Sequence, residues 1–284
     1  MKRLLQAVFA AGMCLIMLLS SACGLIGGSK EEKGAWLMVR EVRYGSEGNA
    51  QSRHEYEYDE CGNNIKQTYS LTDRTIYRYE SEYDEKGREL IRRVIDGSSV
   101  STYEYKYDDA GNYCSWTASK ENGTVSSMGS IRYDENGNVL VETTYKADGR
   151  MDTRIEHEYD ESGRETSYKY YESDNSIVFR REKKYDEEGK LIEERIFNEG
   201  MPSSVLVYEY DANGIAVKAN GFLAVEDGSA NEEVLYGWSE FVYDENGNRI
   251  EIISFDLEGG KQSIIKYEYE FFENAPKSKQ RMDW

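Results

Sequence analysis

The chain has 284 residues, a formal net charge of −19 at pH 7, 24 tyrosines and only two prolines. So acidic a chain excludes nucleic acid and anionic lipid as binding surfaces, because both require a basic face. The many tyrosines favour a strand-rich protein over a helical one, since aromatic residues are enriched in strands.

The N-terminal segment is predicted to be a secretion signal. Two basic residues precede the apolar run LLQAVFAAGMCLIMLL, and small residues then lead to Cys23. That order is typical of a cleaved signal peptide, although the run is also about long enough for a membrane anchor. The segment resembles a bacterial lipoprotein signal, with Ser20 where leucine is usual. The resemblance implies removal of residues 1–22 and lipidation of Cys23, and residues 23–34 are then a flexible tether to the membrane.

An eightfold repeat fills most of the remaining chain. The pattern Y-D-x-x-G recurs every 24–26 residues, with one longer interval of 33. We assign the longer interval to an enlarged loop at 220–233, and a degenerate ninth unit at 267–274 is expected to be an end cap. The repeat predicts one domain over residues 35–273, followed by a polar tail at 274–284. The motif tyrosines are Tyr58, Tyr83, Tyr107, Tyr133, Tyr159, Tyr185, Tyr210 and Tyr243.

Each unit has room for two strands. Before the motif, Tyr103, Tyr105 and Tyr107 alternate with polar residues, and a period of two indicates a strand with one aromatic and one charged face. In the run after the glycine, the third and eighth residues are usually apolar, as at Leu140 and Tyr145. Because these two positions differ in parity, the sequence predicts either a β-bulge or a partly buried second face.

The motif itself is interpreted as a hairpin turn. It reads YDENGN twice, and in these copies Asp134 and Asp244 can accept backbone N–H bonds. Gly137 and Gly247 can supply the positive φ that ends a type I turn in a bulge. An EF-hand calcium loop instead requires glycine at its sixth position and glutamate at its twelfth. We therefore predict structural turns and no metal site.

The repeat resembles the YD repeats of the rearrangement-hotspot (Rhs) and teneurin families, whose signature runs Y-x-Y-D-x-x-G-N/R. The sequences YEYDECGNN, YKYDDAGN and HEYDESGR carry it here, and the match covers about residues 56–273. The resemblance implies β-hairpins laid side by side in a strip that coils into a shell. This chain is far shorter than Rhs chains and lacks the Asp-Pro of their self-cleavage site, so toxin encapsulation is not inferred.

We therefore predict an all-β fold. Tandem antiparallel hairpins are expected to form one long, twisted and curled meander sheet of seventeen or eighteen strands. Open sheets of that size curl, split or coil, so the sheet is expected to be an open or spiral strip with its tyrosine face inside. Whether its two ends meet is left open.

Catalytic and cofactor-binding constellations are not evident. The motif aspartates are equivalent and solvated, so none is set apart for acid–base chemistry. His54 and His157 lie four repeats apart, and His157 replaces a strand tyrosine, which favours a packing role. Cys61 and Cys114 are expected to be free thiols, since flat-sheet geometry separates them by roughly 19 Å. The sequence predicts a non-enzymatic protein without a cofactor or metal.

Two functions remain. One is a binding module for glycan or protein, with Trp116 and Trp238 as stacking residues, although core filling would also explain both. The other is a structural spacer or envelope scaffold without a small-molecule ligand. We favour the binding module, held outside the cytoplasm on a bacterial membrane or envelope through lipid on Cys23. The identity of the ligand, the type of membrane and the oligomeric state are left open.

Overall fold

A computed structural model describes residues 33–279, except residues 73, 110 and 227–230. The predicted signal, Cys23 and most of the tether lie outside this range. No helix among the described residues is long and apolar enough to span a membrane.

The described residues form eighteen antiparallel strands and one short 3-10 helix. Successive strands are joined alternately by YD turns and by a second set of turns, so the YD turns share one rim of the sheet, the YD rim, and the others form the opposite rim. The strands are β1 (Lys33–Gly45), β2 (Ala50–Tyr58), β3 (Asn64–Leu71), β4 (Arg74–Tyr83), β5 (Glu89–Asp96), β6 (Ser99–Tyr107), β7 (Tyr113–Lys120), β8 (Val125–Tyr133), β9 (Val139–Lys146), β10 (Met151–Tyr159), β11 (Glu165–Glu172), β12 (Ile177–Tyr185), β13 (Leu191–Asn198), β14 (Met201–Tyr210), β15 (Ala216–Glu226), β16 (Asn231–Tyr243), β17 (Arg249–Asp256) and β18 (Lys261–Pro276), and the helix is η1 (Lys277–Lys279).

The sheet is closed into a barrel, so the prediction of an open or spiral strip is wrong. Each strand pairs with the next, and β18 pairs antiparallel with β1 from Lys33↔Pro276 to Gly45↔Ser263. An open strip would leave two rows of unpaired backbone groups at its edges. Closure satisfies those groups, and within the described sheet it leaves no edge strand.

Two details of the predicted domain differ from the structure, one at its C-terminal end and one at the predicted insertion. The degenerate ninth unit is the middle of β18, and that strand continues past residue 273 to Pro276. The predicted enlarged loop at 220–233 is largely an extension of the β15–β16 hairpin, because residues 220–226 and 231–233 are in strands.

The two terminal strands form a clasp over the first YD turn. Ala35, Leu37 and Ala275 are buried together, and Tyr58 and Phe272 pack against them. A side chain on Gly62 would approach within 2.6 Å of the Ala275 Cβ, so the clasp lies directly on that glycine. Lys279 of η1 donates a hydrogen bond to Asn63 in the same turn.

The YD turns have a uniform geometry. Asp134 accepts hydrogen bonds from the backbone N–H groups of Asn136 and Asn138 and from the side-chain amide of Asn138. Gly137 has a φ of 86°, and a Cβ added at this position would have no atom within 4 Å. Glycine is therefore required there by the backbone conformation and not by a lack of space. The ladder shifts register at the motif tyrosine in all eight described YD hairpins, which confirms the predicted bulge.

A further hydrogen bond joins one repeat unit to the next. The hydroxyl of Tyr133 donates to the carbonyl of Tyr113 at 2.7 Å, and that of Tyr159 donates to the carbonyl of Val139 at 2.9 Å. In each case the acceptor lies two residues after the glycine of the preceding unit. The same bond is made by Tyr83, Tyr107, Tyr185, Tyr210, Tyr243 and Tyr269, and Tyr58 makes its counterpart to Met38 in β1. The sequence analysis did not foresee this bond.

The barrel encloses a lumen. Eighteen strands about 4.8 Å apart give a circumference of at least roughly 85 Å and, for a round section, a diameter of roughly 27 Å. Barrels with this many strands are too wide for side chains to fill. Accordingly, inward residues such as Tyr103, Tyr105 and Tyr107 are only half-buried, although a few inward residues, such as Tyr168, are fully buried.

We expect the clasp to control closure. Ala275→Arg would place a long charged side chain where Ala275 is fully buried against Gly62, at a cost of about 1–3 kcal/mol of unfolding free energy. In a repeat array the damage should stay partly local. Hydrogen exchange should therefore rise first in β1, β18 and the first YD turn.

The matched control is Glu273→Arg, which introduces arginine at an exposed position of the same strand. An equal loss of stability in both variants, or a uniform rise of exchange around the whole barrel, would contradict the role assigned to the clasp.

Candidate ligand-binding lumen

The inner wall is built from two sets of positions in every unit. Before the turn, residues two and four places ahead of the motif tyrosine point inward with it, as Tyr105 and Tyr103 do ahead of Tyr107. After the turn, the bulge changes which residues face the lumen, so that the fifth residue after the motif glycine points inward. These fifth residues share register with inward neighbours and are Gln67, Arg92, Trp116, Glu142, Tyr168, Glu194, Ala219 and Ile252.

The wall over β2–β7 is aromatic. The ring of His54 lies 4.6 Å from that of Tyr69, which stacks on Tyr77 at 5.0 Å, and Tyr77 is 5.1 Å from Tyr79. Burial and the nearby Arg43 lower the pKa of His54 to about 4, so its imidazole is neutral and hydrogen-bonds the Tyr77 hydroxyl. Tyr79 is buried, whereas His54, Tyr69 and Tyr77 are half-buried and present flat apolar surface to the lumen.

Trp116 is part of this wall. It pairs with Tyr105 across the ladder, and its ring centroid lies 5.3 Å from that of Tyr103. A Cβ at position 129 would overlap the indole nitrogen, so the indole occupies the space that Gly129 leaves empty. Replacing Gly129 by any larger residue would displace the tryptophan.

Trp238 lies on the opposite face of the wall. It stacks on Phe255 at 5.2 Å with an interplanar angle of 18°, and its Nε1 donates to Glu240. The ammonium of Lys218 lies 5.5 Å from the ring centroid. Trp238 and Glu240 lie on the outward side of β16, so the structure does not bring the two candidate tryptophans together.

A small cavity opens beside Trp116. Its volume is about 50 Å³, and it is lined by Trp116, Ser130, Ile131, Glu142, Thr143, Thr144, Thr153 and Ile155. Gly129, Thr144 and Thr153 are aligned in register across β8, β9 and β10. Small side chains along this row, next to a tryptophan and two isoleucines, explain why the wall is indented here.

A cluster of charged side chains adjoins the cavity, which we call the His157 cluster: Glu142, His157, Glu165, Arg181 and Lys183. His157 is hydrogen-bonded through Nδ1 to Glu165 at 2.8 Å and through Nε2 to Glu142 at 3.2 Å. Glu165 also accepts from Lys183 at 2.8 Å and from Arg181 at 3.3 Å. His157 packs edge-on against Tyr168 at 5.3 Å. The predicted packing role is therefore only part of what this histidine does.

The protonation states within the cluster are strongly biased. Burial alone would lower the pKa of His157, but its hydrogen bonds to Glu142 and Glu165 and their negative charges raise it to about 9. Burial likewise opposes ionisation of Glu165, yet His157, Lys183 and Arg181 lower its pKa to about 2. The cluster is thus a set of paired charges at neutral pH.

A second buried ion pair lies on the other side of Trp116. Arg92 donates to both carboxylate oxygens of Glu89, at 2.9 and 2.6 Å, and both side chains are buried. The guanidinium lies 5.8 Å from the ring centroids of both Tyr79 and Tyr105.

Charges of opposite sign balance along the lumen wall, although the whole chain is strongly acidic. Inward carboxylates and inward basic side chains are equal in number among the described residues, with His157 in addition. The acids are Glu41, Glu89, Glu142, Glu165 and Glu194, and the bases are Arg43, Arg92, Arg181, Lys183 and Arg249. A lumen with paired charges and many hydroxyl groups suits an uncharged, hydrogen-bonding ligand better than an ion.

In the part of the chain that the structure describes, there is no disulfide bond and no metal-binding group. Cys61 and Cys114 are free thiols, as predicted. No three His, Cys, Asp or Glu side chains of the described range are arranged to hold a metal ion.

Comparison with known proteins identifies the family. Residues 119–274, more than half of the chain, match the model of the teneurin YD-shell. The chain belongs to the teneurin YD-shell family. The predicted YD-type repeats are therefore confirmed.

Solved structures also match this chain, each at low sequence identity and with a TM-score below 0.5. A TcdB2–TccC3 structure is 15% identical over 83% of this chain with a TM-score of 0.43, and the match covers 14% of that longer chain. A porin-like protein from Bacteroides uniformis is 12% identical, with 82% and 98% of the two chains covered and a TM-score of 0.45. A putative lipoprotein from Parabacteroides distasonis is 14% identical, with 84% and 95% covered and a TM-score of 0.24. No curated protein sequence matches the chain.

The His157 cluster should make stability depend on pH. Because the folded pKa of His157, about 9, lies above its ordinary value of 6.5, its contribution is complete below pH 6.5 and disappears as pH rises through 9. The contribution of Glu165 is complete above pH 4.5 and disappears as pH falls towards 2. The stability lost in His157→Gln should therefore be greatest between pH 4.5 and 6.5, at up to about 3 kcal/mol, and should shrink above pH 9. Urea denaturation across this range measures it.

His54→Gln is the matched control. The pKa of His54 is lowered to about 4, so the wild-type histidine opposes folding as pH falls below 6.5. This variant should lose less stability at low pH than at neutral pH. A His157→Gln effect that stays constant from pH 5 to 10 would show that the ion pairs contribute little.

Proposed function

We propose that this protein is a non-enzymatic, extracytoplasmic binding protein that accepts a glycan in its barrel lumen. The observation that carries the proposal is the inner wall around Trp116, where half-buried aromatic rings lie beside hydroxyl and carboxylate groups. Ligand sites combine apolar and aromatic surface with a few placed polar groups in this way. A pyranose ring matches it, since its C–H face can lie on an aromatic ring while its hydroxyls form hydrogen bonds.

The enclosure of the wall favours a glycan over a protein ligand. A stable protein interface buries about 800 Å² on each partner, whereas a ligand reaches Trp116 only through a mouth of the barrel. The outer wall carries ion pairs such as Arg93–Glu82 and Lys169–Glu158. An extended oligosaccharide is narrow enough to enter, and the paired inner charges favour one without net charge.

Tryptophan fluorescence should report the ligand. A glycan found by screening the purified protein should shift the emission of the wild type and of Trp238→Phe, because Trp238 faces outward. The shift should disappear in Trp116→Phe, and Trp116→Ala should weaken binding by about 1–3 kcal/mol, by analogy with losses at other aromatic contacts. Isothermal titration calorimetry measures the affinities.

The two tryptophan variants control for each other, since each removes one indole from one face of the same wall. Loss of binding in Trp238→Phe with retention in Trp116→Phe would move the site to the outer surface. The absence of any glycan ligand for the wild type would instead favour a structural spacer or envelope scaffold.

We further propose that lipid on Cys23 holds the barrel at a membrane. The support is the lipoprotein-like order of residues before Cys23, which lies outside the described part of the chain. The chain enters the barrel at Lys33, the start of β1, on the YD rim. A tether of about ten flexible residues would reach roughly 18 Å, so the YD rim would lie nearer the membrane and the opposite mouth would face outward.

Replacing Cys23 tests the anchor. Cys23→Ala should abolish lipidation and globomycin-sensitive processing, and should move the protein from the detergent phase to the aqueous phase on partitioning. Ser21→Ala, which retains the cysteine, is the control. A processed Cys23→Ala protein that still fractionates with membranes would show that the apolar N-terminal run is itself the anchor.

A further inference from the structure

The cavity beside Trp116 is the size of one sugar substituent. Its volume of about 50 Å³ is several times the roughly 10–15 Å³ that one water needs on the same measure, so it has room for a group of a few heavy atoms but not for a whole pyranose ring. A ring lying on the exposed part of Trp116 would therefore remain in the lumen and could place only a side group in the cavity.

The lining combines three kinds of contact. Ile131 and Ile155 supply apolar surface, and Ile155 is only 2% exposed. Glu142 supplies a hydrogen-bond acceptor, with Oε1 held by His157 and Oε2 making no hydrogen bond to the described residues. Thr144 and Thr153 supply hydroxyl donors. The matching substituent needs a methyl group, an N–H donor and a carbonyl acceptor, and the acetamido group has all three.

Other common sugar substituents match less well. A hydroxyl group would leave the isoleucine surface uncovered. A carboxylate or sulfate would meet the charge of Glu142. An ammonium group would pair with Glu142 but would bring a charge against two isoleucines, which is costly without full hydrogen bonding.

We propose that this cavity binds the N-acetyl group of an N-acetylhexosamine whose ring stacks on Trp116. The inference rests on the proposed function and adds the class of sugar. Glu142 is then a specificity-determining residue, because its carboxylate accepts the amide N–H, and His157 positions it. Gly129 contributes by leaving room for the indole beside the cavity.

Two oligosaccharides with the same β-1,4 backbone test the inference. Chitotetraose carries an N-acetyl group on each residue, whereas cellotetraose carries a hydroxyl there. By calorimetry, chitotetraose should bind wild type about tenfold or more tightly than cellotetraose, which is the discrimination expected from one well-placed substituent.

Filling the cavity should remove that preference. Thr153→Met should bring the two affinities within about twofold of each other, while binding of cellotetraose persists through Trp116. Thr117→Met places the same side chain on the outer face of the wall and should keep the preference. Thr144→Val, which removes one hydroxyl at nearly constant volume, should reduce the preference even if Thr153→Met fails to fold.

The outcomes separate this inference from the proposed function. Equal affinity of the wild type for both tetrasaccharides, or an undiminished preference in a folded Thr153→Met protein, overturns the N-acetyl assignment. Trp116-dependent binding of a glycan without acetamido groups more tightly than chitotetraose overturns it too, and leaves the proposed function standing. If no glycan binds the wild-type protein, both fail together.

Discussion

The hydrogen bond from each motif tyrosine to the preceding repeat unit is the interaction on which the barrel depends. Tyr133 and Tyr159 show it clearly, with hydroxyls 2.7 and 2.9 Å from carbonyls two residues past the previous glycine. Phenylalanine could fill the same space but could not make the bond. A single bond of this kind contributes only about 1 kcal/mol, but its repetition fixes how each hairpin lies on its neighbour. It also requires the tyrosine ring to lie on the inner wall, which decides the direction of every alternate residue before it.

Much of the fold was predictable because it depends on interactions within one repeat unit. The turn, the strands and the bulge follow from the motif and from a period of two, and these predictions agree with the structure. Closure was not predictable in the same way. It depends on β1, which precedes the first motif, and on pairing such as Glu41↔Tyr267, between residues more than 200 positions apart. A repeat pattern describes how one unit follows another and contains no signal for where the last unit ends in space.

The candidate site was predicted only in part, for the same reason. Trp238 lies five residues before its motif tyrosine, and an odd interval already implies the outer face. Trp116 lies after a turn, where the bulge changes which alternate residues face inward. Its inward direction could therefore be assigned only from the strand register in the structure. The His157 cluster was missed because Glu142, His157 and Lys183 belong to three successive units, and their contact depends on the alignment of neighbouring strands. The fifth residue after each glycine is the signal that would have found several of these residues.

That fifth position also explains how a repetitive fold acquires a particular chemistry. The motif tyrosine, aspartate and glycine are constant from unit to unit because turn, bulge and inter-repeat bond require them. The inward residue that follows is under no such requirement, and it varies from Arg92 to Trp116 to Glu142 in three consecutive units. Successive units stand about 10 Å apart, so these three residues place a buried ion pair, an aromatic surface and a carboxylate next to one another along the lumen. In an array whose units contact mainly their neighbours, substitution at such a position changes the lumen locally while the bonds that hold the barrel remain intact.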